Sequence, residues 1–168
     1  MTGERLQEIA DRLEIVEVLS TWHQALDARE WDVLRDEVFA QDIDWAFEGT
    51  DGARTYRDGA RGADVIPWLD AAVTGATIKH FNGNHVVTLD GDRARTRGSM
   101  HALDLTTFVT VGAGVVTAEH VRTSAGWRIA RLHVLEYVLP VAIDWMNQNP
   151  VGGKREGTFQ AGDRESDA

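Results

Sequence analysis

From roughly Glu4 to Leu26 the chain places Ile9, Leu13, Val16, Leu19, Trp22 and Leu26 three or four positions apart, with charged residues between them. That period predicts an amphipathic helix with these side chains turned inward. Asp27-Ala28-Arg29-Glu30 follows, an Asp-x-x-Glu box of the kind that opens a helix, so a second short helix is expected to about Phe39. DIDWAF then alternates, with Ile43, Trp45 and Phe47 on one side, as a half-buried strand should. Glycine, aspartate and arginine dominate from Glu48 to Gly62, which reads as a loop with a short strand around Tyr56. Ala63 to Val73 predicts a third helix, with Pro67 near its first turn, where proline is tolerated.

From His80 the pattern becomes extended. HVVTL, a turn at Asp90-Gly91-Asp92 and an alternating run from Arg93 to Leu105 predict a hairpin. A loop containing Gly112-Ala113-Gly114 is expected before VVTAEHVR, and Ser124-Ala125-Gly126 turns the chain into WRIARLHVLEYVL. Helices first and antiparallel strands afterwards indicate an α+β domain with the helices against one face of a curved sheet. No βαβ alternation, G-x-G-x-x-G or P-loop is present, which excludes a Rossmann-type nucleotide site. Residues 149–168 are polar and glycine-rich and are expected to form a disordered tail behind a domain spanning residues 1–148.

The chain has 168 residues, a length that suits one domain, and 43% hydrophobic content with six tryptophans can furnish its core. A net charge of −10 argues against a nucleic-acid partner. Arg93, Arg95 and Arg97 form a basic row, but their spacing of two reads as the solvated face of one strand. No apolar run is long enough to span a bilayer, the charged N-terminus lacks a secretory layout, and no cysteine is present. A soluble cytoplasmic protein without membrane partner is the expectation.

The order of these elements, with LDAREWDVL, KHFNGNHVV and GWRIARL, resembles the SnoaL-like branch of the nuclear transport factor 2-like superfamily over roughly Glu4 to Leu139. The resemblance implies a cone: a strongly curved, mostly antiparallel sheet wrapped by three N-terminal helices and enclosing a pocket. It also implies homo-oligomers, dimers or trimers packed through the outer sheet face, with candidates here in the Val109–Val121 strands. Enzymes of this type that the chain is similar to are lyases: scytalone dehydratase, bile acid 7α-dehydratase and hexachlorocyclohexane dehydrochlorinase. They carry an Asp-His pair, and the matching positions are Asp27 in ALDAREW and His80 in IKHFNGN. The implied activity is dehydratase-type elimination on a small hydrophobic carbonyl compound. Isomerisation or polyketide-type cyclisation could start from the same proton abstraction. A non-catalytic ligand-binding or assembly subunit is the alternative of another class, and it requires Asp27 and His80 to be unbonded or the cavity to be filled.

Elimination needs a base, and neutral imidazole suits the task because its pKa lies near operating pH. A carboxylate on the other ring nitrogen fixes the tautomer and stabilises the imidazolium. Asp27 has a competing reading as the cap of the second helix, and His80 as a core histidine. His101 shares parity with the arginine row and is expected outside; His85 is expected to pack; His120 and His133 have no metal-ligand spacing, so no metal and no cofactor are expected. The resemblance also offers Asp104 as a second polar group in the cavity and Tyr56 or Tyr137 as a hydroxyl that polarises a carbonyl. Against it, Trp22 stands where the bile acid enzyme has a tyrosine, Leu132 where the dehydrochlorinase has an arginine, and Glu136 where the bile acid enzyme has one. Trp22, Trp45, Phe47, Trp68, Phe81 and Met100 are the expected pocket lining, which favours a hydrophobic ligand, polycyclic ones included, held by one or two hydrogen bonds.

Overall fold

The computed structural model describes residues 3–50 and 55–137, except the side chain of Tyr56. Helix α1 runs from Gly3 to Ala28 and buries Asp11, Ile15, Val18, Leu19, Trp22, His23, Ala25 and Leu26. This stripe differs from the expected one. Ile9 and Leu13 are exposed, because the buried Asp11 carboxylate is tied to Arg122 and that polar anchor sets the roll of the helix.

How α1 stops determines the rest. Glu30 N–H donates to Ala25 O at 2.8 Å and Arg29 N–H to Leu26 O at 3.2 Å, the two bonds of a Schellman terminus. Arg29 takes the left-handed position with φ 59° where glycine is usual. Its guanidinium donates to the carbonyls of Val73 and Ala76, which ties down the end of the third helix. Asp27 therefore lies in the last turn of α1. The capping-box reading fails, since Glu30 is the N-cap of α2 (Trp31–Val33) and makes no side-chain cap. The expected longer second helix is replaced by this single turn and a π-helical turn, Leu34–Val38.

Strand β1 (Phe39–Thr50) pairs antiparallel with β2 (Thr55–Arg61), so the expected loop is largely a hairpin. A 3₁₀ turn, Gly62–Asp64, leads into α3 (Val65–Val73), with Pro67 in its first turn as expected. Then come β3 (Ile78–Asp90), β4 (Arg93–Asp104), β5 (Val109–Thr123) and β6 (Gly126–Tyr137). The sheet order is β2-β1-β6-β5-β4-β3, and only β1 and β6 run parallel. The result is a curved, mostly antiparallel sheet with helices on its concave side, the α+β cone. Gly112-Ala113-Gly114 lies inside β5 rather than in a loop. A Cβ at Gly112 would collide with the Glu136 carboxylate and one at Gly114 with the Leu135 carbonyl, so glycine admits the close approach of β6.

Alternation on β4 holds throughout: Ala94, Thr96, Met100, Ala102 and Asp104 are buried, while Arg93, Arg95 and Arg97 are exposed. On β3 the rule breaks once. Register shifts between Gly83 and Val86, and Asn84 takes φ 55°. This bulge reverses the inward parity, so that His80 and Asn82 face inward before it and His85, Val87 and Leu89 after it. Trp22, Trp127, Ile15, Leu19, Ile129 and Leu132 fill the core between α1 and the sheet. Each such side chain contributes roughly 1.5–3 kcal/mol by leaving water. No helix among the described residues is long and apolar enough to cross a membrane.

Candidate active site

Strand β3 is the sheet edge, so alternate backbone groups of it point away from β4 and need partners elsewhere. Helix α1 supplies them. Arg12 donates to Val87 O at 2.6 Å, and the Asp27 carboxylate accepts the His80 N–H at 3.1 and 3.3 Å. The same carboxylate accepts the ring N–H of His80, Nδ1 to Oδ1 at 2.6 Å. Lys79 Nζ lies 2.9 Å from the other oxygen, Oδ2. Burial pushes the Asp27 carboxyl up, but the hydrogen bond and charge of His80, then Lys79, outweigh it and the net direction is down. Asp27 is therefore an anion in place, and Nδ1 of His80 carries the proton. In the neutral imidazole Nε2 then keeps its lone pair, and no hydrogen bond to it is seen among the described residues.

The His80 ring forms part of the wall of a cavity of about 130 Å³ between α1, α3 and the sheet. Trp22, Trp45, Phe47, Trp68 and Met100 line it, joined by Leu69, Ile78, Val111, Val134 and others. Trp45 meets Trp22 edge-on at 5.5 Å and Trp68 at 5.9 Å, giving an aromatic wall. Phe81 is not part of this wall. One residue past His80 it faces outward, half exposed, and stacks on His101 at 5.1 Å. His101 is outside, as its parity requires.

Asp104 is buried with its strand's apolar face but does not line the cavity. It accepts Thr77 Oγ1 at 3.1 Å, Thr106 N–H at 2.7 Å and Thr107 Oγ1 at 2.9 Å, which fixes the turn after β4. Tyr137 is exposed at the end of β6, and alternation brings its neighbour Glu136 to the cavity instead. Tyr56 sits on β2 opposite Gly49, and its side chain lies outside the described residues. His85 packs over Gly98, and burial pushes its pKa down. His120 is buried with Nε2 3.0 Å from Thr96 Oγ1, its pKa pushed to about 4 by burial and then by nearby His85.

One residue escaped the sequence reading. His23 is buried at the cavity wall, its ring 5.7 Å from that of His80 and 3.7 Å from Trp22. Its Nδ1 lies 3.2 Å from both Leu19 O and Asn82 Nδ2, and Nε2 has no partner among the described residues. Burial, and then the adjacent His80, push its pKa down to about 3. The signal was available: His23 falls on the Leu19–Trp22–Leu26 stripe one turn before Asp27, so the two share a face. Among the described residues no group of three or more His, Asp or Glu side chains is placed to hold a metal ion.

An α+β cone with a carboxylate–imidazole pair at the wall of an internal cavity defines the class of protein. The chain belongs to the SnoaL-like domain family, whose model matches residues 7–133. It is 35% identical to an uncharacterized protein of Mycobacterium tuberculosis over 133 residues, 74% of this chain and 84% of that protein. Among solved structures it is similar to an NTF2-like protein with a cystatin-like fold from Novosphingobium aromaticivorans. That match has 26% identity and TM-score 0.67, covering 82% of this chain and 88% of the other. The fold is shared with a hexachlorocyclohexane dehydrochlorinase from Novosphingobium barchaimii, at 21% identity and TM-score 0.61 over 82% of this chain and 94% of the enzyme.

Proposed function

We propose that the protein is a cofactor-independent lyase that performs dehydratase-type elimination on a small hydrophobic carbonyl compound. His80 is the general base and Asp27 the group that orients it. The observation that carries this reading is the 2.6 Å bond from His80 Nδ1 to Asp27 at the wall of an unfilled cavity. An assembly subunit has no need of the cavity, and a ligand-binding one has no need of an oriented base. The fold shared with a dehydrochlorinase supports it at the level of architecture.

In the proposed reaction His80 Nε2 takes the proton from the carbon beside the carbonyl, and Asp27 stabilises the imidazolium that results. The electron pair of the broken C–H bond moves into the enolate. The hydroxyl on the next carbon then leaves, taking the proton back from His80 and departing as water. Isomerisation or cyclisation would share the first step. The cavity is close in size to one of about 150 Å³ that accepts benzene. The pocket therefore has room for one ring of a substrate beside His80.

The test is turnover of a panel of single-ring β-hydroxy ketones. His80→Ala and Asp27→Asn should each lower the rate on an accepted substrate by about 10²–10⁴. Variants that match the parent on that substrate would remove the pair from the mechanism.

A further inference from the structure

We infer that His23 is a second working imidazole in this cavity, a hydrogen-bond donor that receives the carbonyl oxygen of the ligand while His80 acts on the adjacent carbon. The inference rests on the reading of His80 as base and adds the group that would hold the substrate's oxygen.

The argument begins with the hydrogen bonds. Asn82 Nδ2 is a donor and lies 3.2 Å from Nδ1 of His23. Donation there requires a bare Nδ1, which leaves the proton on Nε2. Leu19 O, also 3.2 Å from Nδ1, would take a proton from it, so the two contacts demand opposite tautomers. We take the Asn82 bond, because Leu19 O already accepts the backbone N–H of its own helix. Nε2–H is then a buried donor without an acceptor among the described residues, in a side chain only 4% exposed. Such orphaned donors are costly, and a ligand oxygen brought into the cavity that His23 lines would satisfy this one. The indole N–H groups of Trp22 and Trp45, on the same wall, are also without partners among the described residues.

The rest of the wall is mainly indole and aliphatic, with Trp22, Trp45, Trp68 and Met100, and Glu136 is its one carboxylate among the described residues. The two imidazoles, 5.7 Å apart and inclined at 42°, make one polar edge on it. A ring compound whose carbonyl lies at that edge has its oxygen near one imidazole and its α-carbon near the other. Burial holds His23 neutral, its pKa about 3, so it does not compete with His80 for the proton. As the C–H bond breaks, charge develops on the oxygen, and a fixed donor in a dry site binds that charge more tightly than the ground-state carbonyl. No atom is transferred to or from His23. The proton removed by His80 leaves with the hydroxyl.

The test uses acetophenone and α-methylstyrene, which share one ring and nearly one shape but differ in C=O against C=CH₂. The wild-type protein should bind acetophenone about tenfold more tightly, the worth of one buried hydrogen bond. His23→Phe should bind α-methylstyrene as well as wild type does and lose the tenfold preference. His23→Gln, which keeps an N–H, should restore part of it. By ¹⁵N-resolved NMR of wild type, His23 should carry its proton on Nε2, and that resonance should move with acetophenone and not with α-methylstyrene. A preference unchanged in folded His23→Phe, or a His23 protonated on Nδ1 with and without acetophenone, would overturn the proposal. If His23→Phe fails to fold, the NMR measurement decides alone. Deuterium uptake into the acetophenone methyl group reads His80 separately: an oxygen preference that depends on His23, with no uptake, would keep the donor and remove the base.

Discussion

Helix α1 carries two buried carboxylates, Asp11 and Asp27, each with a side chain 7% exposed. Both are held below the usual carboxylate range, yet they sit in different chemistry. Asp11 meets the Arg122 guanidinium through two bonds of 2.8 and 2.7 Å and accepts from Gln7 and the Trp127 indole as well. Arg122 in turn lies 4.5 Å over the Trp127 ring. The guanidinium outweighs the burial there and brings the Asp11 carboxyl to about 2. Its partner never loses its proton, and neither residue lines the cavity beside His80. Asp27 instead holds an imidazole that can take and release a proton, with Lys79 beside it and an unfilled cavity on the far side of the ring. Burial and a lowered pKa therefore do not separate a structural clamp from a site. The partner's chemistry and the space behind it do.

The sharpest break of that comparison is a pair of variants. Asp27→Asn should cost the 10²–10⁴ in turnover given above while unfolding within about 1 kcal/mol of the parent. Arg122→Met should do the reverse. It strands the Asp11 carboxylate and should lose about 3–5 kcal/mol in urea unfolding, with turnover per folded molecule preserved. A smaller effect comes from filling the cavity. Ala102→Leu adds bulk to the cavity wall and should weaken binding of single-ring ligands about tenfold or more, with a stability change under about 1.5 kcal/mol.

The third effect is acid sensitivity. His23 and His120 have folded pKa values of about 3 and about 4, both below the ordinary 6.5. Between those limits the unfolded chain binds more protons than the folded one, so stability is full above pH 6.5 and falls as pH drops. Each histidine should contribute a slope of about 1.4 kcal/mol per pH unit, and His120→Gln should remove its share. Asp11 acts lower, its contribution fading only as pH falls from 3.8 towards 2. The smallest expectation is Arg95→Gln on the outer sheet face, where the contact to Glu119 is 4.0 Å and exposed. Unfolding should change by less than about 0.5 kcal/mol.

Period alone was enough to find α1, α3 and the β3–β4 hairpin, and alternation correctly sent the arginine row and His101 outward. The Asp27–His80 pairing came from the resemblance, because nothing in the chain joins residues so far apart. What escaped had physical causes. The roll of α1 is set by Asp11 with Arg122, a long-range ion pair invisible to a hydrophobic pattern, so Ile9 and Leu13 were misplaced inward. Asp27 imitated a cap because the Schellman terminus at Arg29 has no glycine to announce it. Phe81 has the aromatic character of a pocket wall, but alternation from His80 puts it outside. Gly112 and Gly114 read as a loop since glycine marks both turns and close strand approach. His23 was hidden among the apolar positions of its own helix.

The central claim concerns one proton. In ¹⁵N-edited spectra of the neutral protein, His80 should carry its proton on Nδ1, bonded to Asp27, with Nε2 bare, and Asp27→Asn should release that preference. A His80 found protonated on Nε2, or with a tautomer indifferent to Asp27→Asn, would contradict the account.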